Sequence, residues 1–243
     1  DNAGEYSNSD EDEPEILING GIHGHEQIAV GLPMKLIEYI ITAYGMGDQE
    51  VIYLVDNFKL HFMPVINPDG LLLSERYNDN NVDLNRNFDY HWDETEYSSG
   101  DYAFDQSESR AVRDDFAQHG YCLSLNMHTA FGWGSSGTND GGAGIYSSWD
   151  GIESDEGGSE STFIETYLPN YLFIEGIGQA YAESVIDSEV WPFDQYFHFQ
   201  EGADWYPFGG SMADWAMGNY GTVSYSIEVY GEQDFTTDDS YQL

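Results

Sequence analysis

Three side chains in this sequence have the chemistry and the placement to hold a divalent metal. His23 and Glu26 stand three residues apart in Gly21-Ile22-His23-Gly24-His25-Glu26, and an imidazole paired with a carboxylate suits zinc. That spacing by itself is more often a surface or capping pair, so a third ligand is needed. His128 follows an apolar run, where a strand end would open its side chain onto a cleft. Taken singly, it also reads as an ordinary strand-end histidine.

A second group of residues is suited to binding an anion. The chain has only six basic residues: Lys35, Lys59, Arg76, Arg86, Arg110 and Arg113. Arg76 and Arg86 share one polar stretch with Asn85, and such a set can grip a carboxylate through forked hydrogen bonds. The alternative is that both arginines are counter-ions to an acidic surface. Cys122 is the sole cysteine, so no internal disulfide forms. Its apolar neighbours Tyr121, Leu123 and Leu125 mark it as a small core residue rather than a nucleophile.

These residues need elements to position them. Glu15 to Asn19 is a short apolar run before Gly20-Gly21, which predicts a buried strand and a tight turn. Ile28, Leu32, Leu36 and Ile40 recur at fourfold spacing, predicting a helix over 26–44 that kinks at Pro33 or starts there. A second strand is predicted over 60–65, closed by an Asn67-Pro68-Asp69-Gly70 turn. Ser107 is placed to cap a helix running to Ala117, followed by a strand over 121–127. Residues 132–162 are rich in Gly, Ser, Asp and Glu and read as one long functional or mobile loop. A helix follows Pro169 to Ile186, and a short one covers 212–217. Over 222–229, Val223, Tyr225, Ile227 and Val229 fall on one face of a strand and Ser224, Ser226 and Glu228 on the other. Strands alternating with helices imply a three-layer α/β/α domain with a twisted sheet and its active loops at one sheet edge. Residues 1–13 read as a flexible acidic leader, and 14–243 as a single domain.

Composition excludes several functions. The chain has 243 residues, 40% of them hydrophobic and 16% aromatic, enough for one sizeable core. No uninterrupted apolar run of about 18 residues is present, so no membrane span is expected. The 45 acidic residues set a formal net charge of −39, which repels nucleic acid. Self-repulsion at this charge opposes a compact state in dilute buffer, and salt relieves it, since the screening length falls to about 3 Å at 1 M. A saline, extracellular setting is the expectation, with the acidity as a solvation device. The melting temperature should therefore rise from low to molar salt; a flat or falling curve would refute this. No calcium loop of the EF-hand pattern supports the rival view of a calcium-binding acidic module.

His23-x-x-Glu26, the Asn67-Pro68-Asp69-Gly70 turn, the run Val82-Asp83-Leu84-Asn85-Arg86-Asn87-Phe88 and His128-Thr129 resemble, in order, the signatures of the M14 zinc carboxypeptidases. Tyr206-Pro207-Phe208-Gly209-Gly210-Ser211-Met212-Ala213-Asp214-Trp215 is similar to the family segment that carries its mobile active-site tyrosine. Counting on from Trp215, the family's catalytic glutamate falls on Glu228. The resemblance implies one zinc per chain on His23, Glu26 and His128, with Asp83 orienting His23. It implies Glu228 as general base, Arg76 beside the developing oxyanion, and Asn85, Arg86 and Tyr206 on the terminal carboxylate of a peptide substrate. His25 lies between ligands and faces the second shell or solvent. His61, His91, His119 and His198 stand in no ligand pattern.

Three features depart from the family. Only 22 residues precede His23 and 15 follow Glu228, fewer than the family's terminal elements need, so a trimmed domain or a fragment is expected. Ala213 stands before Asp214-Trp215, where members selective for basic terminal residues often carry an acid, and this favours a neutral or aromatic terminal residue. Cell-wall peptide cleavage or N-acyl amino acid deacylation on the same scaffold would keep the triad and Glu228. A non-catalytic binding module would be expected to have lost one of them.

Overall fold

The computed structural model describes residues 13–93, 97–130, 143–148, 171–188, 197–202 and 208–230. Alternation along β1 (Glu15–Asn19) sets the architecture. Leu17 joins a core with Leu84, Phe88, Phe116 and Trp215. Its neighbours Ile16 and Ile18 join a different core with Ala29, Met127, Ile145, Ile174 and Ile227. A strand whose two faces enter two cores must be covered on both sides, and the result is the expected three-layer arrangement.

The sheet has six strands among the described residues, in the order β2-β1-β3-β6-β4-β5. β2 (Lys59–Met63), β3 (Tyr121–Ala130) and β6 (Val223–Tyr230) join β1 in a parallel block. β4 (Gly144–Ser147) runs antiparallel to β6 and parallel to β5 (His198–Glu201). Helices α1 (Gln27–Met46), α2 (Gln49–Asn57) and α5 (Tyr171–Asp187) are joined by α3 (Pro68–Leu73), α4 (Ser107–Phe116) and α6 (Met212–Tyr220). Ile174 and Ala182 of α5 lie in the core of Ile16 and Ile18, whereas Val112, Phe116, Trp215 and Ala216 of α4 and α6 lie in the core of Leu17. The expected alternation in β6 holds: Tyr225 and Ile227 are fully buried on the α5 side, and Glu228 lies on the opposite face.

α1 runs continuously from Gln27 through Pro33. Proline leaves the Ala29 carbonyl without its helical N–H partner, and Gly20 lies against that carbonyl, where a Cβ would overlap it. That close approach lies at the turn that leads to His23. By length and composition α1 is also apolar enough to cross a membrane, contrary to the expectation that no such segment exists. Lys35 and Glu38 interrupt its apolar residues, and in the fold these two form an exposed ion pair at 2.9 Å.

Other expectations are corrected in detail. Asn67 does not close a simple turn; its Oδ1 accepts from Gly70 N at 2.8 Å and caps α3. Ser107 is the first residue of α4 rather than its cap, which is Gln106 without a side-chain bond. β3 continues through His128, so that residue sits inside the strand. β4 lies within the span read as one long loop, while 131–142 and 149–162 lie outside the described residues, as do 1–12 of the leader. Helix α2 and strand β5 had no sequence expectation. Cys122 is exposed rather than buried, because the register between β1 and β3 shifts beside it and turns Tyr121 inward instead.

Candidate active site

The parallel strands β1, β3 and β6 all end at one edge of the sheet, and each delivers a chemical group there. Below that edge, a polar ladder crosses the strands. Asn19 Nδ2 donates to Asn126 Oδ1 at 2.6 Å, and Asn126 Nδ2 donates to Ser224 Oγ at 2.9 Å. All three are buried, and mutual bonding keeps them satisfied while it fixes the strand register.

His23 follows β1, Glu26 is the residue before α1, and His128 lies in β3. All three are buried, and one donor atom from each lies within 4.8 Å of the others. Glu26 bridges the two rings, with Oε1 at 2.6 Å from His23 Nδ1 and Oε2 at 3.1 Å from His128 Nδ1. Thr129 N–H also donates to Oε2 at 3.1 Å, which fixes the carboxylate plane. Two imidazoles and a carboxylate with open positions are the donor set of a catalytic zinc. The residues therefore fit the ion.

Asp83 faces the other nitrogen of His23, with Oδ1 at 3.2 Å from Nε2. That contact leaves Nδ1 for the ion, as an orienting carboxylate does. Asp83 Oδ2 accepts from Arg76 Nε at 2.9 Å and from Nη2 at 2.8 Å, while Arg76 Nη1 lies 3.3 Å from His23 Nδ1. Burial alone would raise both carboxyls, yet His23 with His128 holds Glu26, and His23 with Arg76 holds Asp83, well below the usual carboxylate range. Burial also disfavours charge on His23, but Glu26 and Asp83 outweigh it and raise its pKa.

Asp83 then starts the turn that carries the anion-binding candidates. Its Oδ1 accepts from Asn85 N at 3.0 Å and caps the short 3₁₀ turn Leu84–Arg86. Asn85 Oδ1 accepts from Met212 N at 3.0 Å, so its amide NH₂ group is the part directed elsewhere. The buried Arg86 donates from Nη1 to Asn85 O at 2.9 Å, and its guanidinium lies 3.5 Å from the centre of the Phe208 ring. Gly210, with φ of 75°, lets the 208–212 segment approach so closely that a Cβ would overlap the Arg86 carbonyl. Ser211 then caps α6, its Oγ accepting from Asp214 N at 3.0 Å and donating to Asp214 Oδ2 at 2.6 Å. Tyr206 lies outside the described residues.

Glu228 pairs in register with His128 across β3 and β6, and neighbouring strands stand about 4.8 Å apart. It is buried, and burial pushes its carboxyl up to about 7 against the pull of His128 and Arg76, with Glu26 adding to the rise. The structure thus brings together His23, Glu26, His128, Asp83, Arg76 and Glu228, with Asn85 and Arg86 on the adjoining turn. Thr129, which fixes Glu26, had no expectation attached beyond its place in a motif, since a backbone donor leaves no mark in a sequence.

A family model described as zinc carboxypeptidase matches residues 3–242. Carboxypeptidase D of Anas platyrhynchos is 30% identical over 234 residues, covering 89% of this chain and 15% of that protein. Carboxypeptidase SOL1 of Arabidopsis thaliana is 28% identical over 224 residues, covering 90% of this chain and 40% of that protein. The chain therefore spans well under half the length of these relatives. Among solved structures, carboxypeptidase A from Helicoverpa armigera superposes with a TM-score of 0.69 at 23% identity, covering 93% of this chain and 54% of that one. Murein-tripeptide amidase from Escherichia coli O157 gives 0.54 at 16% identity, covering 90% and 74%.

Proposed function

We propose that this chain, which belongs to the zinc carboxypeptidase family, hydrolyses the peptide bond next to a free C-terminal carboxylate. The observation that carries the reading is the link through Asp83: one carboxylate orients His23 and also starts the turn bearing Asn85 and Arg86. A donor triad for zinc and a carboxylate grip are thus built on one support.

His23, Glu26 and His128 would hold the zinc. Zinc, when bound, polarises a carbonyl and lowers the pKa of bound water from about 15.7 to about 7. Glu228 takes a proton from the attacking water and hands it to the leaving amine, and its raised pKa suits both transfers near neutrality. Arg76 places a fixed positive charge beside His23, where the carbonyl oxygen of the substrate becomes anionic. Asn85, Arg86 and Tyr206 hold the terminal carboxylate, and the Phe208 ring keeps the Arg86 guanidinium in one plane. Asp83, in contact with His23 and bonded to the Asn85 N–H, ties this grip to the triad, so the last peptide bond is the one brought to the reacting position.

Amidating the peptide removes the charge that Arg86 is built to meet. Single residues should be released from free peptides, with kcat/KM falling about a hundredfold or more on amidated ones, since such charged hydrogen bonds contribute roughly 3 kcal/mol. Equal cleavage of both would overturn the exopeptidase reading. Cell-wall peptide cleavage and N-acyl deacylation would keep the triad and Glu228, and a cell-wall peptide and an N-acyl amino acid assayed beside the free peptide separate them by which is turned over. The net charge of −39 supports a saline medium for this activity.

A further inference from the structure

We propose that Glu15, His61 and His119 form a second divalent-metal site, at the edge of the sheet opposite the catalytic centre. His61 and His119 stand in no sequence pattern, yet the fold brings them together: Glu15 opens β1, His61 lies in the middle of β2, and His119 immediately precedes β3. One donor atom from each lies within 4.8 Å of the other two. Glu15 Oε2 is 2.9 Å from His119 Nδ1 and 3.6 Å from His61 Nε2. A tetrahedral ion with bonds of about 2.0–2.1 Å separates its donors by roughly 3.3 Å, so shifts of a few tenths of an ångström to at most about 1.5 Å close the site.

Three observations favour an ion over a plain histidine–glutamate pair. His61 Nε2 is shut off from solvent and makes no hydrogen bond; a buried nitrogen facing a carboxylate just beyond bonding distance is costly unless something lies between them. His119 presents Nδ1 to Glu15 at 2.9 Å, while its far nitrogen lies on the Asp115 side, 3.8 Å from Oδ1. Asp115 is itself held by the Tyr121 hydroxyl at 2.8 Å. The rings of His61 and His119 pack at 4.5 Å, and that of His119 stacks on Tyr121 at 5.3 Å, so both imidazoles are fixed without the ion.

Donor type identifies the ion. Two imidazoles and one carboxylate suit zinc and its transition-metal neighbours, whereas calcium and magnesium take oxygen ligands. The side chains of Glu15, His61 and His119 are 19%, 28% and 31% exposed, so the cluster lies at the surface, where an ion can reach it from solution. The ion would tie β1, the edge strand β2 and the α4–β3 turn together. Its role is that of a clip on the sheet edge, independent of peptide hydrolysis.

Zinc stoichiometry on the full chain, by equilibrium dialysis with zinc chloride, tests the site. Wild type should bind two equivalents, Glu26→Gln one, and the double variant His61→Ala/His119→Ala one, with peptidase activity retained in the last. Cobalt(II) in Glu26→Gln should give the visible absorption of a tetrahedral nitrogen–oxygen site, and zinc should raise its melting temperature by several degrees. Glu15→Gln keeps the side-chain shape and should abolish both responses in the Glu26→Gln background, which covers the case in which the histidine variants misfold. A wild-type chain that binds one equivalent, all of it lost in Glu26→Gln, would overturn the proposal. Failure of the catalytic reading looks different: Glu26→Gln would then lose no zinc.

Discussion

Glu228→Gln is expected to lower kcat by about a thousandfold while leaving the zinc content unchanged. Glutamine has the shape of glutamate but cannot accept and return the proton, and positioned general bases contribute roughly a hundred- to ten-thousandfold. The side chain sits beside His128 on the neighbouring strand, contributes no atom to the His23–Glu26–His128 set, and should therefore leave metal affinity intact. Peptide release by the variant, with zinc measured on the same sample, is the check. Wild-type activity at full zinc occupancy would remove Glu228 as the base.

The same substitution should stabilise the metal-free protein. The Glu228 carboxyl is pushed up to about 7 in the fold, from an ordinary value of 4.5. Below pH 4.5 both folded and unfolded chains keep the proton, so no cost arises. As pH rises toward 7 the unfolded chain releases it first, and stability falls with pH until the folded state also ionises. Above 7 the cost is complete, at roughly 3 kcal/mol. Metal-free Glu228→Gln should accordingly melt several degrees above metal-free wild type at pH 8, with the gap closing near pH 4. Activity and stability moving in opposite directions is the signature of a group held in place for chemistry rather than for folding.

Local patterns accounted for the parts of this fold that local forces decide. The alternation over 222–229 placed Glu228 on the face of β6 opposite Tyr225 and Ile227, because successive side chains of a strand point to opposite faces and here one face is apolar and the other polar. The Asn-Pro-Asp-Gly segment was legible as a chain reversal, but its role as a helix cap that also reaches Ile22 O at 3.3 Å was not, since that contact spans 45 residues. β4 and β5 were missed because four-residue strands carry little periodicity, and β4 lies among Gly and Ser. Cys122 was misread because a single register shift beside Glu15 reverses which side chains point inward. The His61–His119 pair shows the limit most clearly. No local spacing marks it, and only the parallel pairing of β2 and β3 with β1 brings its members within reach.

Glu26→Gln should abolish hydrolysis, by at least about a thousandfold, together with the loss of one zinc equivalent. Each carboxylate oxygen of Glu26 has a separate duty: Oε1 faces His23 Nδ1 at 2.6 Å, and Oε2 meets both His128 Nδ1 and the Thr129 N–H. An amide can keep only one of these duties, and its neutral oxygen is a far weaker zinc ligand than a carboxylate. Bound zinc stabilises the fold by its binding free energy, about 4 kcal/mol at a thousandfold excess over Kd. For a chain of this length that is a melting shift of roughly 10 °C. Starting from the chelator-treated proteins, added zinc should raise the melting temperature of wild type by about that amount more than it raises Glu26→Gln. The separation, rather than the absolute shift, isolates the catalytic ion, because zinc at the Glu15–His61–His119 cluster would raise both proteins equally. If zinc raises both by the same amount, the ion does not sit on Glu26, and the carboxypeptidase reading loses its metal centre.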